Sequence, residues 1–306
     1  MESSSRRAFL GGRSLARTPW AQFCQRLRRT VAGEFIEYQV AGSAGSGRLT
    51  AQHATDVHHA RALCNEYGVV LRLDGLAMPV RQADQPTIWV RPGKGLSRCS
   101  RLDGHSNKWF VQPGCTLGDL KAAGLEQLGH LPQNTTVAAW IADRTLSDYA
   151  TGRTFRSGLE HVSLLLGDGQ TVNLGPFSAE NTKPLDGLRL QQLVPALYRL
   201  ASGPDASACL EGDFWPSRYR LDTLMPVNTQ TQNLAHLCLG HGGDLGWIEW
   251  AVIDGDTLDP EQDQAGYFST DLVEEQGLGD AATTLDWETK ALFDPERVFP
   301  DYGQDL

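Results

Sequence analysis

The sequence predicts an α+β fold, on three observations. Residues 55 to 67 place Val57, Ala60, Leu63 and Cys64 at helical spacing and lead into a short β-branched run, Val69 to Leu73. Residues 108 to 112 carry aromatic and β-branched side chains suited to a strand; Pro113-Gly114 ends it, and Leu117, Leu120, Leu125 and Leu128 then fall near one face of a helix. Strand runs at 162–166 and 170–174 flank Gly167-Asp168-Gly169, a hairpin signal.

Taken in order, residues 1 to 47 read as a basic, loosely held arm and linker. Residues 1 to 30 hold seven arginines against Glu2 alone. Ser5-Arg6-Arg7-Ala8-Phe9-Leu10 has the form of a twin-arginine export box, but no apolar stretch or small-residue cleavage site follows, so cytoplasmic residence is expected. Gly42 to Gly47 is rich in glycine and serine and marks the approach to a first domain, 48–176. At the heart of that domain, Thr116 is placed to cap a helix, with Asp119 reaching back from the third helical position. A glycine turn opening such a helix leaves N–H groups at the positive end of its dipole, a natural seat for a phosphate.

A second unit is expected over 177–287, with an amphipathic helix through Leu190, Leu193, Val194, Leu197 and Leu200 and a small antiparallel sheet within 234–253. Asp254 to Asp280 is acidic and poor in apolar residues, which suggests an exposed excursion. Residues 288–306 close the chain.

Composition narrows the function classes. Hydrophobic content is 41% and the net charge is −10. No apolar run approaches the ~20 residues of a membrane helix, so an integral membrane protein is not expected. Residues 221 to 289 contain fourteen acidic side chains and no lysine or arginine, which argues against a nucleic-acid partner. The six cysteines form no C-x-x-C pair, which leaves out the usual zinc and iron–sulfur spacings, and they read as free thiols of a reducing compartment. His58 and His59 point to different sides of their helix and have no partner one turn on, so no metal site is expected.

In this order the pieces resemble the flavin-binding domain of the vanillyl-alcohol oxidase or p-cresol methylhydroxylase (PCMH) type. The carrying residues are Leu71-Arg72-Leu73-Asp74-Gly75 for the phosphate loop, Gly114-Cys115-Thr116-Leu117 for the strand-to-helix turn, and Thr136-Val137-Ala138-Ala139 for the stretch along the flavin. Asp168-Gly169 matches the closing hairpin, and Lys290-Ala291-Leu292-Phe293-Asp294-Pro295 matches the segment returning from the second domain to the first. The resemblance implies a two-subdomain FAD-binding fold with a small α+β cap. It implies FAD held by Arg72, Asp74, Gly75, Gly114, Cys115, Thr116, Leu117, Thr136, Val137, Ala138, Ala139, Gly152 and Arg153.

Two positions depart from the family pattern. A phosphate loop of this type uses consecutive glycines, because only glycine lets backbone N–H groups close on a diphosphate, whereas here Gly75 stands alone beside Asp74. Ala138 and Ala139 replace two glycines along the flavin.

The implied activity is oxidation of a small hydroxy acid or alcohol, as in the FAD-binding subunit of glycolate oxidase. The flavin would carry the hydride, and the electrons would pass to oxygen, a quinone or a partner subunit. His241 in Leu239-Gly240-His241-Gly242-Gly243 is the candidate base, and Arg218 and Arg220 are candidate clamps for a substrate carboxylate. The competing expectation is a flavin-fold subunit that no longer holds flavin and serves assembly or regulation.

Overall fold

The computed structural model describes residues 18–38, 44–76, 85–177, 185, 187–211, 214–225, 232–259 and 277–301. It is α+β, built on two sheets. The four-stranded sheet contains β1 (Glu34–Tyr38), β2 (Ser46–Ala51), β3 (Val70–Leu73) and β4 (Thr87–Pro92) in the order β1-β2-β4-β3. The five-stranded sheet contains β5 (Cys99–Arg101), β6 (Lys108–Val111), β7 (Leu159–Leu165), β8 (Thr171–Leu174) and β9 (Trp247–Asp254) in the order β5-β6-β9-β7-β8.

The predicted helix at 55–67 is α2 (Ala54–Tyr67), which precedes β3. Its start is fixed by Asp56, a buried carboxylate accepting from the backbone N–H groups of Ala32, Gln52 and His53. Its end is fixed by Gly68, whose φ of 63° few other residues adopt at low cost. β3 and β4 pair in parallel.

The N-terminal region differs from the sequence expectation. Residues 19–30 form helix α1 (Pro19–Thr30), capped by Thr18, with Phe23, Cys24 and Leu27 buried. Phe23, Leu27, Leu49, Val57, Leu63, Leu71, Ile88 and Val90 share one core beside the four-stranded sheet. β1 then pairs antiparallel with β2, so Ser46 and Gly47, expected as linker, lie inside a strand. Burying Phe23 and Leu27 contributes roughly 2 to 3 kcal/mol each, enough to hold a helix whose arginines face water. The twin-arginine box lies outside the described residues.

The five-stranded sheet corrects the expected second unit. β9 comes from within 177–287, yet it sits between β6 and β7, antiparallel to both. The apolar positions around it belong to the larger core, which runs from Trp109 through Trp140 and Tyr149 to Leu237 and Phe293. Of the expected strand residues 234–253, those from Trp247 on supply the middle of the first domain's sheet, while Leu234–Cys238 form a 3-10 turn, so there is no small sheet of their own among the described residues. The predicted amphipathic helix is α5 (Leu188–Ala201), followed by the short α6 (Pro204–Cys209). Residues 254–259 complete and leave β9; most of the acidic excursion lies outside the described residues.

α7 (Gly279–Phe293) is the last described helix, and the segment after it runs beside β3, where the N–H of Leu71 donates to the carbonyl of Val298 at 2.8 Å. Among the described residues no helix is long and apolar enough to cross a membrane.

Candidate functional site

The strand-to-helix turn is built as the sequence suggests. Helix α3 (Leu117–Ala123) starts at Thr116, whose hydroxyl accepts from the Asp119 N–H at 3.1 Å, while the Asp119 carboxylate accepts from the Thr116 N–H at 3.0 Å. The hydroxyl and that N–H hold the Asp119 carboxyl below the usual carboxylate range. Gly114 fits where a Cβ would come within 2.9 Å of the Leu96 carbonyl oxygen. The helix is short: Gly124 turns the chain at a φ of 127°, and a 3-10 turn over Glu126–His130 brings Leu125 and Leu128 back onto the same buried face.

Thr136 caps α4 (Val137–Ala142), directly against that turn. Thr116 and Thr136 form an isolated antiparallel bridge. The structure thus brings Gly114 to Leu117 together with Thr136 to Ala139, and a Cβ on Gly75 would lie 3.9 Å from that of Ala139. Gly152 and Arg153 sit elsewhere, in a turn where the Gly152 N–H donates to Asp222 at 2.9 Å. Residues 77–84, the rest of the loop after β3, are outside the described residues.

A dinucleotide needs free N–H donors for its diphosphate and a groove for its rings, and around this turn most of the backbone donors are already engaged. The N–H groups of Gly114, Cys115, Leu117, Val137 and Ala138 donate to the carbonyls of Leu96, Gln112, Thr135, Cys115 and Pro113 at 2.7 to 3.1 Å. Those of Asp74 and Arg153 are engaged by the carbonyls of Val90 and Ala150. Ala138 and Ala139 are each 2% exposed. Where β3, α4 and the turn before β9 meet, the remaining space is a cavity of about 10 Å³, lined among others by Leu71, Leu73, Ala138, His241, Gly243 and Phe299. That is room for one water. Gly243 closes the wall, since a Cβ there would stand 3.2 Å from that of Leu73. As these segments stand, the space between β3, α4 and Gly243 is too small for a flavin ring.

His241 projects into this cavity, 1% exposed, and neither ring nitrogen has a hydrogen-bond partner. Burial, then the charges of Arg218 and Lys290, push its pKa down to about 3. A ring that resists protonation so strongly is a poor general base near neutral pH. The other buried histidine, His236, is bonded: its Nε2 meets the Leu159 carbonyl at 2.8 Å, and its Nδ1 lies 2.9 Å from the Thr154 hydroxyl.

The two candidate clamps are committed to the fold. Arg220 is fully buried, paired with Asp222 at 2.7 Å and donating to the Tyr149 carbonyl at 2.6 Å. Arg218 pairs with Asp244 at 2.8 Å. Sequence reading missed the partners that hold this interior together. Arg144 donates to the carbonyls of Trp215, Ser217 and Arg218, and the Asp286 carboxylate accepts from the Ser217 hydroxyl and the Arg218 N–H. Lys290 donates to the Asp244 carbonyl at 2.7 Å and pairs with Asp294. Their one sequence signal was a run of polar residues within otherwise apolar surroundings. Among the described residues no cluster of histidine, cysteine and carboxylate side chains is placed to hold a metal ion.

No family model matches the chain, and no curated protein does. Solved structures do. A variant of BBE-like 1 from Physcomitrella patens aligns at 9% identity and a TM-score of 0.43, over 76% of this chain and 44% of its own. A variant of Phl p 4, a glucose dehydrogenase, aligns at 12% identity and a TM-score of 0.37, over 83% of this chain and 40% of its own. This chain spans less than half the length of either neighbour. At that identity neither neighbour's activity transfers to it.

Proposed function

We propose that this chain is a flavin-fold protein that has given up its cofactor and works as an assembly or regulatory subunit. The carrying observation is the set of backbone N–H groups at Gly114, Cys115, Leu117, Val137 and Ala138, all donating to carbonyls of the chain itself. Releasing four of them to a diphosphate forfeits about 1 kcal/mol each, roughly a thousandfold in affinity, before any charge is considered. Asp74 adds a carboxylate beside the same turn. The visible absorption spectrum of the purified protein tests this reading: no flavin bands are expected, and a yellow protein would overturn it.

A second reading, an FAD-linked oxidoreductase acting on a small hydroxy acid or alcohol, is favoured by one observation. His241, the candidate base, faces the cavity between Leu73 and Ala138 with both nitrogens unpartnered. Under that reading residues 240–246 move away from β3 to admit the cofactor. Asp74→Gly then raises flavin content; under the first reading it leaves the protein colourless.

A further inference from the structure

A second cavity, of about 240 Å³, opens between the C-terminal end of α2, the start of β3 and the segment that follows α7. That is room for a small organic molecule rather than a single water. Phe299 is a wall it shares with the water-sized space beside His241. Its floor is apolar, since Val69, Val70, Val298 and Phe299 are all buried. The chain's own bonds pin both sides. Gly68 ends α2 in the left-handed region, and the Val69 N–H returns to the Cys64 carbonyl at 2.9 Å. Opposite, the Asp294 carboxylate accepts from the N–H groups of Val298 and Phe299, and the Val298 carbonyl accepts from Leu71 at 2.8 Å. Arg297 stands in this turn at a φ of 55°, its side chain 66% exposed and its guanidinium 5.8 Å from the centre of the Trp287 ring.

The polar rim of this cavity favours a cation. Among the described lining residues, Glu296 and Asp301 are acidic and Arg297 is the one cation. The end of α2 adds the negative pole of the helix dipole, and no basic residue in its last turn offsets it. One acceptor is left over. Asp301 Oδ1 is buried and has no hydrogen-bond donor among the described residues; Arg297 Nε, its ion-pair partner, stands 3.7 Å away, beyond hydrogen-bond reach. A buried acceptor without a donor carries an unmet desolvation cost, which a ligand N–H removes.

We propose that this cavity binds a small primary amine with an apolar body. The ammonium donates to Asp301 Oδ1 beside the end of α2, and the apolar part covers Val69, Val70, Val298 and Phe299. An alcohol of the same shape brings a donor without the charge, and a carboxylate of the same shape meets Glu296, Asp301 and the helix end with a like charge. Val298 and Phe299 belong to the segment that Asp294 fastens, so a bound amine ties α2 to that segment and stabilises the fold by mass action. The site uses none of the residues of the Gly114–Leu117 turn, and it stands independently of whether the chain binds flavin.

The test titrates the whole protein by calorimetry at low ionic strength with three probes of one shape: phenethylamine, 2-phenylethanol and 3-phenylpropionate. The amine is expected to saturate a single site with a Kd below about 1 mM, and to raise the melting temperature as its concentration rises. The alcohol should bind about tenfold more weakly or worse, and the carboxylate should show no saturation. Asp301→Asn keeps the shape and should cost the amine about tenfold in affinity. Asn65→Trp, at an exposed position of α2 on the cavity rim, should abolish binding by filling the space. The proposal is overturned if the amine does not saturate, if the three probes bind alike, if the carboxylate binds best, or if Asp301→Asn or Asn65→Trp binds the amine as wild type does. Because the three probes on wild-type protein decide the ligand class alone, poor folding of a variant leaves the test intact.

Discussion

Both nitrogens of His241 sit in the interior without a partner, beside the cations Arg218 and Lys290. The ring is therefore neutral in the fold, with a pKa of about 3 against an ordinary 6.5, and the unfolded chain takes up the proton first. A depressed histidine costs nothing above pH 6.5. Below that, stability falls by about 1.4 kcal/mol per pH unit, until the folded ring also protonates near pH 3. His236, lowered to about 4, adds the same slope over a shorter window. The melting temperature should thus drop steadily from pH 6.5 to 4, and His241→Leu should flatten part of that drop. The same substitution removes two buried unpaired polar atoms, each costing about 1 to 3 kcal/mol, so it should also raise the melting temperature at pH 7. Destabilisation at pH 7 would mean that His241 has a partner in solution.

Among the elements, the junction of β6 and α3 was the most legible in sequence, and the reason is chemical. Pro113-Gly114, Thr116 and Asp119 each dictate a local geometry, and the capping box forms as those residue types require. Thr116→Ala should cost about 1 kcal/mol by thermal or urea denaturation, and Asp56→Ala should cost more, about 2 to 4 kcal/mol, because three backbone N–H groups lose their acceptor. If both variants melt within a degree of wild type, the caps do not hold these helices. The hairpin at Gly169 and helices α2 and α5 were legible for similar reasons of period and turn chemistry. Helix α1 was not: Phe23 and Leu27 keep helical spacing, but the arginines between them read as a solvated arm until β2 and α2 provide a surface to cover. β9 was recognisable as strand, yet its place between β6 and β7 depends on pairing across more than eighty residues, which local pattern does not encode. The candidate site was legible as a meeting of Gly114–Leu117 with Thr136–Ala139. Its closure was not, because it rests on a turn at Gly243 reaching β3.

The whole molecule is closed by its C-terminal segment. Asp294 receives Lys290 and accepts from the N–H groups of Val298 and Phe299, while Phe293 packs in one core and Phe299 in the other. A Cβ on Gly167 would overlap the Asp294 carboxylate, which also links the β7–β8 hairpin to this lock. Lys290→Met strands a buried carboxylate and should cost about 3 to 5 kcal/mol, visible as a lower urea midpoint with unchanged slope. An unchanged midpoint would show that the pair is spectator to the fold. The central claim, that the chain fills its own cofactor seat, is tested most directly by equilibrium titration of FAD with the purified protein, followed by flavin fluorescence. The account predicts no saturable quenching, with any affinity weaker than about 1 mM. Saturation in the micromolar range by wild type would contradict it.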